Sequence, residues 1–277
     1  MMRVRPTSRR RAGLLTGLTA LVATVSILLA AQPASAAPAG LPGMDVSGHQ
    51  ENVNWSAAYR NGARFAYVKA TEGTGYTNPH FAQQYNGSYQ VGMIRGAYHF
   101  ALPNRSSGIA QANYFVSHGG GWSRDGKTLP GAVDMEYNPY AGGTCYGKSP
   151  SAMVAWIRDF INQYHARTGR WAVIYTSTSW WSTCTGNYAG FAANSPLWLA
   201  RYSPNVGALP AGWSTYSIWQ WADHGTFRGD QNVWTAASTG CGCSPATGPA
   251  DGVSRSRPAV ARGHRRPVRG HVIRSAT

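Results

Sequence analysis

Acidic residues are scarce in this chain. Its 277 residues include ten Asp and Glu against 25 Lys and Arg, a formal charge of +15. So lopsided a balance would suit a nucleic-acid partner, but its distribution argues against one. Five arginines lie within residues 1–11 and seven follow Gly252, which leaves 13 bases and nine acids in 37–250, a net +4. No nucleic acid is expected from that body; a mildly basic surface suits an anionic polymer such as a cell wall. Metal-ligand spacing is missing as well. The eight histidines form neither His-Glu-x-x-His nor His-x-His, so no metal or other cofactor is expected. No Gly-x-Ser-x-Gly is present, which disfavours a serine hydrolase. No glycine-rich fingerprint follows the first predicted strand, which disfavours dinucleotide binding.

Long apolar runs are absent with one exception, residues 12–31. Five arginines and no acid precede that run, and Ala34-Ser35-Ala36 follows it. This order reads as a secretory signal peptide over 1–36, and the flanks argue against the alternative of a membrane anchor. Ser8-Arg9-Arg10-Arg11 also admits twin-arginine export. The organisation expected is a signal peptide at 1–36, a catalytic barrel domain at 37–235 and a disordered basic tail at 236–277, rich in Gly, Pro, Ser, Ala and Arg. The mature protein is expected outside the cell, off the membrane and monomeric. Cysteines number four, and export permits disulfides. Cys145 and Cys184, both in polar Gly/Thr/Ser-rich loops, are the best pair. Cys241 and Cys243 flank a single glycine and would close a strained ring; free or intermolecular thiols are equally open.

Between those ends, short β-type runs alternate with helical patterns. Strands are predicted at 43–47, 65–70, 93–100, 130–137 and 171–176, with helices at 55–61, from Pro79 through Tyr85, at 107–118 and after Ser149-Pro150. In the last, Met153, Trp156, Ile157, Phe160, Ile161 and Tyr164 share one face. A short helical turn is expected near 179–184. Strands then follow with little helix between them, at 197–202, 216–221 and near 231–234. The class is α/β, and at this size an irregular TIM-like barrel of five βα units followed by three strands. Barrel active sites lie at the C-terminal strand ends, where Asp45, Lys69, His99, Asp134, Glu136, Arg201 and Gln220 all fall. His99 is read as a hydrogen-bonded core residue.

Val133-Asp134-Met135-Glu136 carries the chemical signal. Residues two apart on a strand project to the same side, with Cα atoms about 6.5–7 Å apart. Two carboxylates held together repel, and one tends to keep its proton. An acid beside an ionised carboxylate is what cleavage of a glycosidic bond requires. Asp-x-Glu alone is a weak signal. It stands among Gly43-Met44-Asp45-Val46-Ser47, Val68-Lys69-Ala70-Thr71-Glu72-Gly73, Gly96-Ala97-Tyr98-His99-Phe100, Ile218-Trp219-Gln220-Trp221 and Gly229-Asp230-Gln231-Asn232-Val233.

In that order these motifs resemble the glycoside hydrolase family 25 lysozymes, the Chalaropsis-type N-acetylmuramidases, and their secreted actinobacterial members in particular. The resemblance spans about residues 41–234. It implies an irregular barrel and hydrolysis of the β-1,4 bond between N-acetylmuramic acid and N-acetylglucosamine in peptidoglycan, with retention. It further implies Glu136 as general acid, Asp134 as the carboxylate steadying the reacting centre, and Asp45 and Asp230 as further active-site carboxylates. Whether Asp134 attacks directly or orients the substrate's acetamido group stays open, the latter being favoured. Tyr67, Tyr98, Tyr137, Trp219 and Trp221 are candidates for the sugar cleft, with barrel core as the alternative for each. After Trp234 the chain departs from the family pattern.

A wall-binding protein on a degenerate barrel would lack a catalytic acid, and none of the motif carboxylates is missing. A metal-dependent wall amidase would need ligand clusters. EDTA should therefore leave clearing of purified peptidoglycan unchanged; abolition by EDTA would restore the metal-dependent reading.

Overall fold

In the computed structural model, which describes residues 37–235, β1 (Leu41–Val46) runs parallel to β2 (Phe65–Glu72) on one side. On its other side it runs antiparallel to the final strand, β9 (Asp230–Trp234). That double pairing closes the sheet. β4 (Ile94–Phe100), β5 (Ala132–Asp134), β6 (Val173–Thr176), β7 (Leu197–Ala200) and β8 (Ile218–Ala222) complete the ring, all parallel to their neighbours except β8 against β9. A two-residue strand, β3 (Tyr76–Thr77), folds back on the end of β2 outside the ring. The helices α1 (Trp55–Arg60), α2 (Phe81–Gln90), α3 (Gly108–Phe115), α4 (Pro150–Thr168) and α5 (Thr178–Thr185) follow the first parallel strands. The architecture is the irregular α/β barrel expected from the sequence. Positions 1–36 and 236–277, with Cys241 and Cys243, lie outside the described residues.

Strand alternation sorts each side chain to one face. Val133, Ile174, Ala66 and Val68 face outward, beneath the helices. Phe65, Tyr67, Ala132, Val173, Trp198, Ile218 and Trp234 fill the interior. Glycine makes the interior wide enough. A Cβ on Gly43 would overlap the Phe65 ring, and one on Gly96 the Tyr67 ring. Polar side chains sit above this apolar floor, at the C-terminal ends of the strands.

The most regular outer element is α4. Ser149 Oγ accepts from the Ala152 N–H at 3.3 Å, Pro150 opens the helix, and Gly169 ends it at φ +69°. All six residues predicted for its inner face are buried. Elsewhere boundaries move. Pro79 does not open α2; buried Asn78 accepts the His80 N–H at 3.0 Å, and the helix begins at Phe81. β5 ends at Asp134, although the Met135 N–H still donates to Tyr175 O at 2.9 Å and carries the strand's alternation on to Glu136.

Cys145 and Cys184 form a disulfide across 39 residues, tying the β5–α4 loop to α5. Closure of such a loop stabilises by about 4 kcal/mol in the chain-entropy model. The Cys145→Ala/Cys184→Ala protein should unfold at lower urea, with a loss of about 2–4 kcal/mol; an unchanged midpoint would contradict this.

Candidate active site

Closing the barrel with an antiparallel strand sets Asp45 directly opposite Asp230 in the β1–β9 register. Like charges in that position repel. An amide from the neighbouring strand separates and tethers them. Gln220 Nε2 donates to Asp45 Oδ1 at 2.8 Å and to Asp230 Oδ2 at 3.0 Å. Gln220 Oε1 accepts from Tyr175 Oη at 2.8 Å and Tyr202 Oη at 3.1 Å. Both donors and both lone pairs of the amide are thus used. Turned over, its oxygen would face two carboxylates, so the network dictates the orientation. Asn232 adds a second donor to Asp45 Oδ1, at 2.6 Å, and is itself held by Trp198 Nε1 at 2.8 Å.

Asp134 and Glu136 face this pair across the mouth. Asp45, Tyr98, Asp134, Glu136, Tyr175, Trp198, Gln220 and Asp230 line one pit of about 70 Å³. Glu136 and Tyr175 also line an adjoining groove of about 250 Å³ with Tyr137, Ser177, Ser179, Ala200, Arg201 and Tyr202. Asp134 is 5% exposed, and its Oδ1 has no hydrogen-bond partner among the described residues. The basic group that lowers both acids of this pair is Lys69, whose Nζ is paired to Glu72 Oε2 at 2.6 Å. Tyr140, from the disulfide-tied loop, donates to the other oxygen of Glu72.

Burial dominates the electrostatics. It raises Asp45 to about 6 against the pull of Gln220 and Asn232. Glu136 is raised by burial to about 7, with Lys69 opposing and Asp230 adding to the rise. Burial and Asp45 raise Asp230 to about 7. Asp134 is pushed well above its ordinary value by burial, then by Glu136. The four acids therefore cannot all be ionised near neutrality. A site of this kind holds a proton ready to donate and gathers negative charge around any cation formed inside it. Among the described residues no group of three or more His, Cys, Asp or Glu is arranged to hold a metal ion.

Asp45, Asp134, Glu136 and Asp230 thus meet in one pit, with Tyr98 beside them and Tyr137 on the groove. Tyr67 does not reach the cleft. It is 1% exposed, stacked on Trp198, with its hydroxyl donating to Pro130 O at 2.8 Å. Trp219 points outward on β8 and spends its Nε1–H on Arg201 O at 2.8 Å. Trp221 sits at the irregularity between Gln220 and Ala222 and lines neither cavity. Tyr67 and Trp219 are corrected from cleft to framework. His99 is a core residue, as read, held by Thr71 and Gln111 and lowered by burial to about 4. Tyr175, Trp198, Tyr202 and Asn232 were not anticipated as site residues, and Gln220 only as a strand-end polar group. Asn232 shares β9's inner face with Asp230, a period-two signal that was available.

Residues 44–230 match the model of the glycosyl hydrolases family 25. Lysozyme M1 of Streptomyces globisporus is 52% identical over 190 residues, which cover 69% of this chain and 64% of that protein. The N,O-diacetylmuramidase of a Chalaropsis species is 50% identical over 194 residues, covering 69% of this chain and 92% of its own. The structure of a muramidase from Acremonium alcalophilum superposes with a TM-score of 0.68 at 57% identity, over 70% of this chain and 93% of that one.

Raised carboxylates tie stability to pH. A group whose pKa is higher folded than unfolded contributes fully below its unfolded value and loses that contribution as pH rises through the folded one. For Glu136 the window runs from 4.5 to about 7. Buried His99 acts oppositely, its contribution being lost as pH falls from 6.5 to about 4. A comparison with Glu136→Gln cancels the histidine. The variant should melt higher than the wild type at pH 8, by about 3 °C or more, and the gap should shrink at pH 5. A gap that is constant with pH would contradict the raised value.

Proposed function

The chain belongs to family 25 of the glycosyl hydrolases, and from that premise we propose that it is a secreted lysozyme cutting the β-1,4 bond between N-acetylmuramic acid and N-acetylglucosamine in peptidoglycan. The observation that carries this reading is Glu136, half-buried at the barrel mouth among three other carboxylates and raised to about 7. Such an acid keeps its proton well above the ordinary carboxylate range, as a general acid must.

In the proposed reaction Glu136 donates its proton to the glycosidic oxygen as the C1–O bond breaks. Positive charge grows on C1 and the ring oxygen, and the pit's remaining negative charge stabilises it. Asp134 accepts the acetamido N–H of the sugar at its partnerless Oδ1. The acetamido oxygen is then aimed at C1 and closes the first displacement. Glu136, now a carboxylate, takes a proton from water, which attacks C1 from the vacated side as the bond from C1 to the acetamido oxygen breaks and the acetamido group is restored. Two displacements give retention. Asp45 and Asp230, fixed by Gln220, hold their charge in place without reorganising. Tyr98 and Tyr137 offer ring faces to the sugars. The enzyme acts as a monomer outside the cell, with glycan strands as its partner and no cofactor.

Glu136→Gln should lower kcat on purified peptidoglycan by at least about 10²-fold while circular dichroism stays that of the wild type. Wild-type digestion should expose new muramic acid reducing ends. Undiminished clearing by the variant would remove Glu136 from its role.

A further inference from the structure

One charged group in the groove has no part in the chemistry above. Arg201 directly follows β7 and lines the 250 Å³ groove together with Glu136, Tyr137 and Tyr202. Among the described residues the ion pairs are Lys69–Glu72 and His224–Asp223, so the Arg201 guanidinium has no carboxylate partner beside a pit that holds four. Its backbone is pinned on both sides: the N–H donates to Gln220 O at 2.9 Å, and the carbonyl accepts from Trp219 Nε1 at 2.8 Å. Its side chain is held by one edge, with Nε donating to Asn205 O at 3.1 Å. The guanidinium lies over Gly207, at φ +65°, where any side chain would collide with it. Nη1 and Nη2 make no hydrogen bond within the described residues and are left for a ligand.

The two alternating sugars of the glycan carry the same acetamido group. They differ in the O3-lactyl ether of the muramyl residue, which bears a carboxyl group. Four acids in the pit would repel a carboxylate, so it must lie away from them, and a fixed guanidinium offers the matching two-pronged donor. We propose that Arg201 binds a carboxylate carried by the muramyl residue and thereby makes the enzyme selective for muramyl strands over neutral glycans. This rests on the muramidase reading. The carboxylate has two sources: the free lactyl group of a peptide-free strand, or the terminal carboxylate of an attached peptide.

The test measures kcat/KM for wild type, Arg201→Gln and Arg201→Lys. Three substrates are compared: a peptide-free glycan, its lactyl methyl ester and a peptide-bearing strand. On the free-acid glycan Arg201→Gln should lose about tenfold, the size of one charge-assisted contact, and Arg201→Lys should recover part of it. On the ester the wild type should already be about tenfold poorer, and the Gln variant should lose little more. A tenfold loss confined to the peptide-bearing strand also supports the proposal and assigns the peptide carboxylate as the source. Equal losses on acid and ester, or none on any substrate, overturn it. Glucosamine reducing ends from the wild type would instead overturn the muramidase reading, which separates the two failures.

Discussion

The constraint from which the site follows is the gathering of four carboxylates, two buried and two half-buried, at one end of a closed barrel with too little positive charge to neutralise them. Lys69 is shared with Glu72, and Arg201 stands out in the groove. Without counter-ions, buried acids either keep protons or are held by neutral donors. This mouth does both. Gln220 and Asn232 hold Asp45, Gln220 also holds Asp230, and Glu136 is raised to about 7. Such an arrangement costs folding free energy, and the aromatic interior below it offsets that cost by burying apolar area.

The irregularity of the barrel is part of the same arrangement. A regular ring of eight βα units would bring a parallel strand beside β1. Here antiparallel β9 places Asp230 opposite Asp45 and Asn232 opposite Gly43. The absence of a side chain at Gly43 lets the Phe65 ring pass beneath, so the apolar floor rises close to the acids and excludes water from under them. On the far side of the mouth, β5 stops after three residues, and the loop beyond it carries Glu136, Tyr137 and Tyr140. The disulfide to α5 ties that loop down, and Tyr140 joins it to Glu72 and so to Lys69.

Much of this was legible in the chain because local rules agree with the global fold there. Ser149, Pro150 and Gly169 mark both ends of α4, and its apolar period is uninterrupted. Asp134 and Glu136 obey strand alternation even past the last strand residue. The four acids could be picked out because so few others compete with them. What was not legible depends on depth along the barrel axis, which periodicity does not encode. Tyr67 and Tyr98 are both inward-facing strand tyrosines, yet one is floor and the other lines the pit. Trp219 flanks a site residue but faces the other way. Asn78 could not be seen to displace the start of α2, because its role depends on a buried contact with Gln84 from the next helix. The hub role of Gln220 requires knowing that β1, β8 and β9 are neighbours, a fact of closure.

The central claim is that Glu136 is an acid whose proton is retained to near neutrality by its surroundings. It is tested most directly by following the side-chain carboxyl ¹³C shift of Glu136 through a pH titration of the wild-type protein. The account predicts a midpoint near 7, about where burial places it. A midpoint near 4.5, the value of an ordinary glutamate, would contradict it.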